Sequence, residues 1–155
     1  MICVKGDVLQ TPFQIIAHQV NCKGVMGAGL AKQIRKNYPN LYNAYKFYCN
    51  GANLGDCFGW YTHDGHYIMN IFAQDDYGRD KVYTNYEAMR TAFFNGIDTF
   101  RQAADIYEKD VQLTIAIPYM IGCGLAGGDW DKVQKILSEI EKSRNVVFVA
   151  YDICS

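Results

Sequence analysis

The stretch IIAHQVNCKGVMGAGLAKQI, residues 15–34, changes character twice along its length. Ile15 to Val20 is a short apolar run rich in β-branched side chains, the pattern of a strand covered on both faces. Asn21 to Gly29 follows as a glycine-containing loop, and Ala28 to Tyr38 then reads as a helix that stops at Pro39. A strand that delivers the chain into a glycine loop opening a helix is a building unit of parallel α/β sheets.

Outward from this stretch the same alternation continues. Tyr67 to Ala73, Leu113 to Tyr119 and Val146 to Tyr151 are further strand-like runs, with Cys57 to Thr62 a weaker one before an Asp64-Gly65 turn flanked by His63 and His66. Pro39 starts a second short helix carrying Leu41, Tyr45 and Tyr48. Thr84-Asn-Tyr-Glu87 is a capping-box sequence, and behind it Met89, Phe93, Ile97, Phe100 and Ala104 share one helical face. Asp129 is placed to cap a last helix, ending near Ser143, with a stripe of Trp130, Val133, Leu137 and Ile140. The order predicts a three-layer α/β/α sandwich with a mixed, mostly parallel central sheet, a single domain over residues 1–155. In such sheets ligands bind beyond the carboxyl ends of the strands.

Composition narrows the function classes. The 155 residues are 50% apolar with a formal charge of −1, which suits a globular protein and argues against a general polyanion binder. Lys32, Arg35, Lys36, Tyr38, Tyr42, Tyr45 and Lys46 do interleave basic and aromatic residues, but helical spacing sends the tyrosines toward the core and the lysines toward water. No signal-like or membrane-length apolar run is present, so a cytoplasmic protein without membrane association is expected. Cys3, Cys22, Cys49, Cys57, Cys123 and Cys154 are scattered without zinc-ligand spacing, which fits a reducing compartment; neither a metal nor a cofactor is expected. No obligate protein partner is evident.

Two glycine segments carry the chemistry. Asn21 to Gly29 and Ile121 to Gly128 each follow a strand and open a helix, where glycine permits close backbone approach and free N–H groups favour an anion. Together they suggest a clasp for a diphosphate. The sequence GxxxxGK[ST] of phosphate-binding loops is absent, and the dinucleotide fingerprint GxGxxG is half met, with Lys32 in place of its third glycine.

Three segments, KGDVL at residues 5–9, AHQVNCKGVMGAGLAKQI at 17–34 and IPYMIGCGLAGGDW at 117–130, resemble the signature segments of macrodomains, the ADP-ribose-binding modules. The likeness extends over nearly the whole element order. It is strongest to the branch of terminal ADP-ribose glycohydrolases, DNA ADP-ribosyl glycohydrolase antitoxins and ADP-ribose-1''-phosphate phosphatases. The resemblance implies that Asp7 accepts a hydrogen bond from the adenine amino group, that Val8 offers its backbone N–H and that Tyr151 packs beside the adenine. It puts Asn21 at the distal ribose. Gly27, Ala28, Gly29 and Leu30 would bracket one side of the diphosphate, and Gly122, Cys123, Gly124, Leu125 and Ala126 the other. The expected partner is ADP-ribose, free or attached to protein or nucleic acid.

Chemistry beyond binding is less sharply specified. The glycohydrolase branch has an aspartate where this chain has Ala126, and a lysine in the loop before the capping-box helix, where this chain reads Ala73-Gln-Asp-Asp-Tyr-Gly-Arg-Asp80. A Schiff-base lysine is therefore not supported. His18 matches a histidine of the phosphatase branch and would serve as general acid or base, but it alternates with Ile16 and Val20 as a core histidine would. Asp75 and Asp76 lie in a loop suited to orienting a water, or simply solvated together with Asp80. Cys22 and Cys123 sit in the two glycine loops, as packing residues or as thiols activated at a helix start. Two functions stay open: an ADP-ribosyl hydrolase or ADP-ribose-1''-phosphate phosphatase with His18, Asp75 and Asp76 as candidate catalytic residues, and a non-catalytic ADP-ribose reader or scavenger.

Overall fold

The apolar runs become the centre of a six-stranded sheet because both of their faces are covered by helices. A computed structural model of the chain describes residues 1–107 and 110–153; Cys154, one of the scattered cysteines, lies outside the described residues. Strands β1 (Ile2–Lys5), β2 (Ile15–Asn21), β3 (Cys57–Tyr61), β4 (Tyr67–Gln74), β5 (Leu113–Pro118) and β6 (Val146–Asp152) run in the order β1-β6-β5-β2-β4-β3. Every pairing is parallel except that of β3 with β4, a hairpin closed around Thr62 to His66. The mixed, mostly parallel sheet matches the expectation.

Alternation along β2 assigns its side chains to two cores. Ile15 and Ala17 face helices α3 (Tyr86–Ala104) and α4 (Trp130–Arg144), whose Met89, Phe93, Ile97, Val133 and Leu137 fill that side. Ile16 and Val20 face α1 (Gly29–Asn37) and α2 (Pro39–Tyr48), which contribute Ile34, Leu41 and Tyr45. Burying each such side chain contributes roughly 1.5–3 kcal/mol. Tyr38 joins α1 to α2 with φ −131° and ψ 68°, outside the helical region that the following Pro39 disfavours for it.

Three local expectations are corrected. Strand β1 has no counterpart among the expected elements; its four residues are mostly exposed and are strand only because Ile2 to Lys5 align with Val149 to Asp152 of β6. The capping box does not form. Asn85, not Thr84, caps α3 by accepting from the Ala88 N–H at 2.9 Å, while the Thr84 hydroxyl is drawn to the Gly122 carbonyl at 2.6 Å. Ala104, at the end of the expected apolar stripe, is exposed in the last turn of α3, whereas Arg101 is buried there and donates to the carbonyls of Val111, Arg144 and Asn145. Asp129 does cap α4, accepting from the Asp131 N–H at 2.9 Å.

Candidate ligand-binding site

The carboxyl ends of β2, β4 and β5 open into a cavity of about 520 Å³, within the usual range of small-molecule sites. The first glycine loop forms one wall. Asn21, 6% exposed, organises it: its Nδ2 donates to the Val25 carbonyl at 2.8 Å, and its Oδ1 accepts from the Lys23 and Val25 N–H groups at 3.0 and 3.3 Å. The Tyr45 hydroxyl rises from α2 to within 2.6 Å of the Asn21 carbonyl and 3.0 Å of Oδ1. The chain then enters α1 through Ala28, which makes no side-chain cap, so the first-turn N–H groups are left for an anion. Gly29 has a φ of 56°, and a Cβ there would meet nothing within 4 Å. Its left-handed conformation favours glycine, and the space above it is open to a ligand.

The second glycine loop forms the opposite wall and is held from outside. The Gly122 carbonyl accepts from the Thr84 hydroxyl and, at 2.9 Å, from the Gly128 N–H. Thr84 in turn accepts from Gln19 Nε2 at 2.9 Å, and the same nitrogen donates to Gln74 Oε1 at 2.8 Å. The Ala126 carbonyl accepts from the N–H groups of Tyr83 and Thr84 at 2.8 and 3.3 Å. Gly122 has a left-handed φ of 75°, which favours glycine, and a Cβ there would stand 2.7 Å from Gln19 Oε1, so the glutamine would have to shift to admit a side chain. Met120 carries a left-handed φ of 59° without being glycine and also lines the cavity.

The expected site residues divide by location. His18, Asn21, Gly27, Ala28, Gly29, Leu30, Gly122, Gly124, Leu125 and Ala126 line the cavity. Cys123 does not; it packs toward the first core with its Sγ 3.5 Å from the Ile121 carbonyl, and burial pushes its thiol up to about 11. Burial, followed by the Asp75 charge, likewise raises the Cys22 thiol to about 11, so neither sulphur is an activated thiolate at neutral pH. Asp7, Val8 and Tyr151 form a separate group at the β6 side: Asp7 caps the short 3-10 turn Val8–Gln10 by accepting from the Leu9 N–H at 2.9 Å, and the Tyr151 hydroxyl bonds Thr11 Oγ1 at 2.7 Å.

His18 is 2% exposed on the face shared by Ile16 and Val20, and its Nε2 lies 2.7 Å from Asn70 Oδ1. Asn70 Nδ2 donates to the Phe58 carbonyl at 2.8 Å, which turns Oδ1 toward the ring and assigns the proton to Nε2. Burial outweighs that hydrogen bond and lowers His18 to about 4, so it is neutral at pH 7.

Asp75 and Asp76 are not among the lining residues. Asp75 pairs with Lys23 Nζ at 3.5 Å, and Asp76 Oδ1 accepts from the Tyr77 N–H at 2.8 Å. The same loop instead presents Gln74, Tyr77, Gly78 and Arg79 to the cavity. Sequence reasoning misses these four because the acidic pair is the more conspicuous feature; the only available signal is the loop's place after β4. Gln19, Tyr119 and Met120 also line the cavity; they fall within the segments 17–34 and 117–130, but the sequence assigns no site role to them individually. The interleaved basic and aromatic set splits as spacing implies. Tyr38 and Tyr45 are buried, and Tyr42 is covered by Arg35 and Lys46, 4.4 and 4.8 Å from its ring centroid. No group of three or more His, Cys, Asp or Glu among the described residues is placed to hold a metal ion. None of the described helices is long and apolar enough to cross a membrane.

This arrangement has known relatives. The chain is 29% identical over 152 residues to a DNA ADP-ribosyl glycohydrolase of Mycobacterium tuberculosis, covering 94% of this chain and 40% of that protein. It is 25% identical over 176 residues to an ADP-ribose 1''-phosphate phosphatase of Saccharomyces cerevisiae, covering 97% of each. The chain thus spans less than half the length of the glycohydrolase and nearly all of the phosphatase. Among solved structures, the macrodomain of Mycobacterium tuberculosis DarG matches with a TM-score of 0.75 at 25% identity, covering 97% of this chain and 95% of that one. Residues 17–137 match the family model described as Macro domain, and with most of its length inside that match the chain belongs to the macro domain family.

Proposed function

We propose that the cavity binds ADP-ribose and that residues 1–155 act as one binding domain. The observation that carries this reading is the pair of glycine loops facing each other across the cavity, with Gly29 and Gly124 leaving open space where side chains would stand. The diphosphate lies between Gly27–Leu30 and the Gly122–Ala126 loop, held by backbone N–H groups and the α1 dipole. The adenine rests at the Asp7, Val8 and Tyr151 end, and the distal ribose points toward Asn21 and the loop after β4. In this reading Asn21 acts mainly by shaping the loop, since its Oδ1 is already engaged. A cytosolic setting goes with it: Cys3, Cys22, Cys49, Cys57 and Cys123 are free thiols.

Binding without turnover is the form of this function that the geometry supports best. Among the described lining residues there is no aspartate, glutamate or lysine, and His18 is held well below neutral pH. Two observations favour hydrolysis as a second reading: His18 borders the cavity with Nδ1 unprotonated, and the relatives are named as a glycohydrolase and a phosphatase. Calorimetric titration with ADP-ribose and with AMP tests the binding. ADP-ribose is expected to bind at one site and AMP more weakly, because it lacks the second phosphate and the distal ribose that would fill the cavity; no detectable ADP-ribose binding refutes the proposal. Product analysis with ADP-ribose 1''-phosphate and an ADP-ribosylated oligonucleotide decides between reader and hydrolase.

A further inference from the structure

We propose that Arg79 selects ligands carrying an additional phosphate group beyond the distal ribose; this rests on the ADP-ribose reading of the cavity. Arg79 is the one ionised side chain among the described residues that line the cavity, since His18 is neutral at pH 7 and the remaining lining is uncharged. It is exposed and makes no hydrogen bond or ion pair with a described residue. Its acidic neighbours are already engaged: Asp75 with Lys23, Asp76 with the Tyr77 N–H and Asp80 with the Tyr83 hydroxyl. A guanidinium left unpaired at the edge of an otherwise neutral cavity is an anion receptor, and its forked donors suit phosphate.

Position within the sheet says which anion. In the strand order β1-β6-β5-β2-β4-β3, the Asp7 and Tyr151 group lies at the β6 side, the glycine loops follow β5 and β2, and Arg79 stands in the loop after β4. A ligand whose adenine begins at the β6 side therefore crosses the glycine loops with its diphosphate and reaches Arg79 with the group attached to the distal ribose. The loop is braced to do this: the Tyr83 N–H donates to the Ala126 carbonyl at 2.8 Å, and Gly78 adopts a φ of 151° beside the Tyr83–Asp80 pair.

The test is the ratio of affinities for phosphorylated and plain ligand, measured by titration of the wild type, Arg79→Gln and Arg79→Lys. The ligands are ADP-ribose, ADP-ribose 1''-phosphate and an ADP-ribosylated oligonucleotide, each recovered after titration so that the ratio is read on intact ligand. One exposed charge-assisted contact is expected to favour the phosphorylated ligand about tenfold in the wild type. The ratio should fall toward one in Arg79→Gln, take an intermediate value in Arg79→Lys and shrink with added salt. An Arg79-dependent preference for the 1''-phosphate identifies a phosphate monoester, and one confined to the oligonucleotide identifies a phosphodiester. A wild-type ratio near one for both ligands, or a ratio that survives in Arg79→Gln, overturns the assignment of Arg79 while ADP-ribose binding stands. If the wild type binds none of the three, the ADP-ribose reading falls and this one falls with it.

Discussion

The two glycine loops present similar backbones to the cavity but are built in opposite ways. The loop after β2 is closed from within by Asn21, which bonds to residues two and four positions ahead, while Tyr45 and Tyr42 reach it from α2 and Asp75 from the loop after β4. The loop after β5 depends on distant chain, with Thr84 and Tyr83 bonding its carbonyls and Gln19 reaching Thr84 from β2. Gly29 in the first loop faces open space, whereas Gly122 in the second is pressed against Gln19 and Met89. One wall is thus centred on a local asparagine turn and the other on a hydroxyl brought in from distant chain, so they should respond differently to mutation.

The largest expected effect is at the centre of the local loop. Asn21→Ala removes the side-chain oxygen and nitrogen that close it, leaving the Lys23 and Val25 N–H groups without that partner, at a cost of about 3 kcal/mol. Chemical denaturation checks this; a loss under about 1 kcal/mol would mean that the backbone holds the loop without Asn21. An effect of similar size is expected from acid. The unfolded chain protonates His18 near pH 6.5, but the folded chain does so only near pH 4. Between those values the unfolded state binds more protons, so stability contributed by neutral His18 is fully present above about 6.5 and is lost as pH falls toward 4. The loss amounts to about 3 kcal/mol. In His18→Gln this part of the pH dependence should disappear, and a wild-type stability that stays flat over the interval would rule out the buried neutral histidine.

Gly29→Val separates binding from folding. The side chain enters open space, so the fold should bear only the left-handed strain of about 1–2 kcal/mol, while ADP-ribose affinity should fall by about 100-fold as the phosphate path is filled. Unchanged affinity in the folded variant would remove the first loop from the site. The smallest effect is expected at the tertiary wall. Thr84→Val leaves the Gly122 carbonyl its bond from Gly128 and leaves Gln19 its bond to Gln74, so it should cost about 1 kcal/mol. Affinity should weaken without being abolished. A Thr84→Val loss larger than that of Asn21→Ala would invert the comparison between the two walls.

The same contrast explains what is legible before folding. The apolar runs of β2, β4, β5 and β6 are readable because burial on both faces leaves a continuous signature, and both glycine loops are readable by their places between strand and helix. Thr84 shows where reading fails. Its spacing to Glu87 fits a capping box, yet the Gly122 carbonyl, 38 residues away, takes the hydroxyl and shifts the cap to Asn85. Asp75 and Arg79 show the same limit at the cavity. They occupy one short loop, and nothing in their order reveals that the acid pairs with Lys23 while the arginine faces the cavity.

Local periodicity, proline and glycine placement and the turn that Asn21 closes on its own neighbours act over a few residues, so the amino-acid sequence by itself determined the layers, the strand-to-helix turns and the asparagine turn within the first wall of the site. Its signature segments also carried the likeness to the macro domain family. The strand status of Ile2 to Lys5, the cap of α3, the burial that keeps His18 neutral and the place of the Arg79 guanidinium at the cavity were decided only by tertiary structure. Each depends on a partner, or on the exclusion of water, supplied by residues far along the chain.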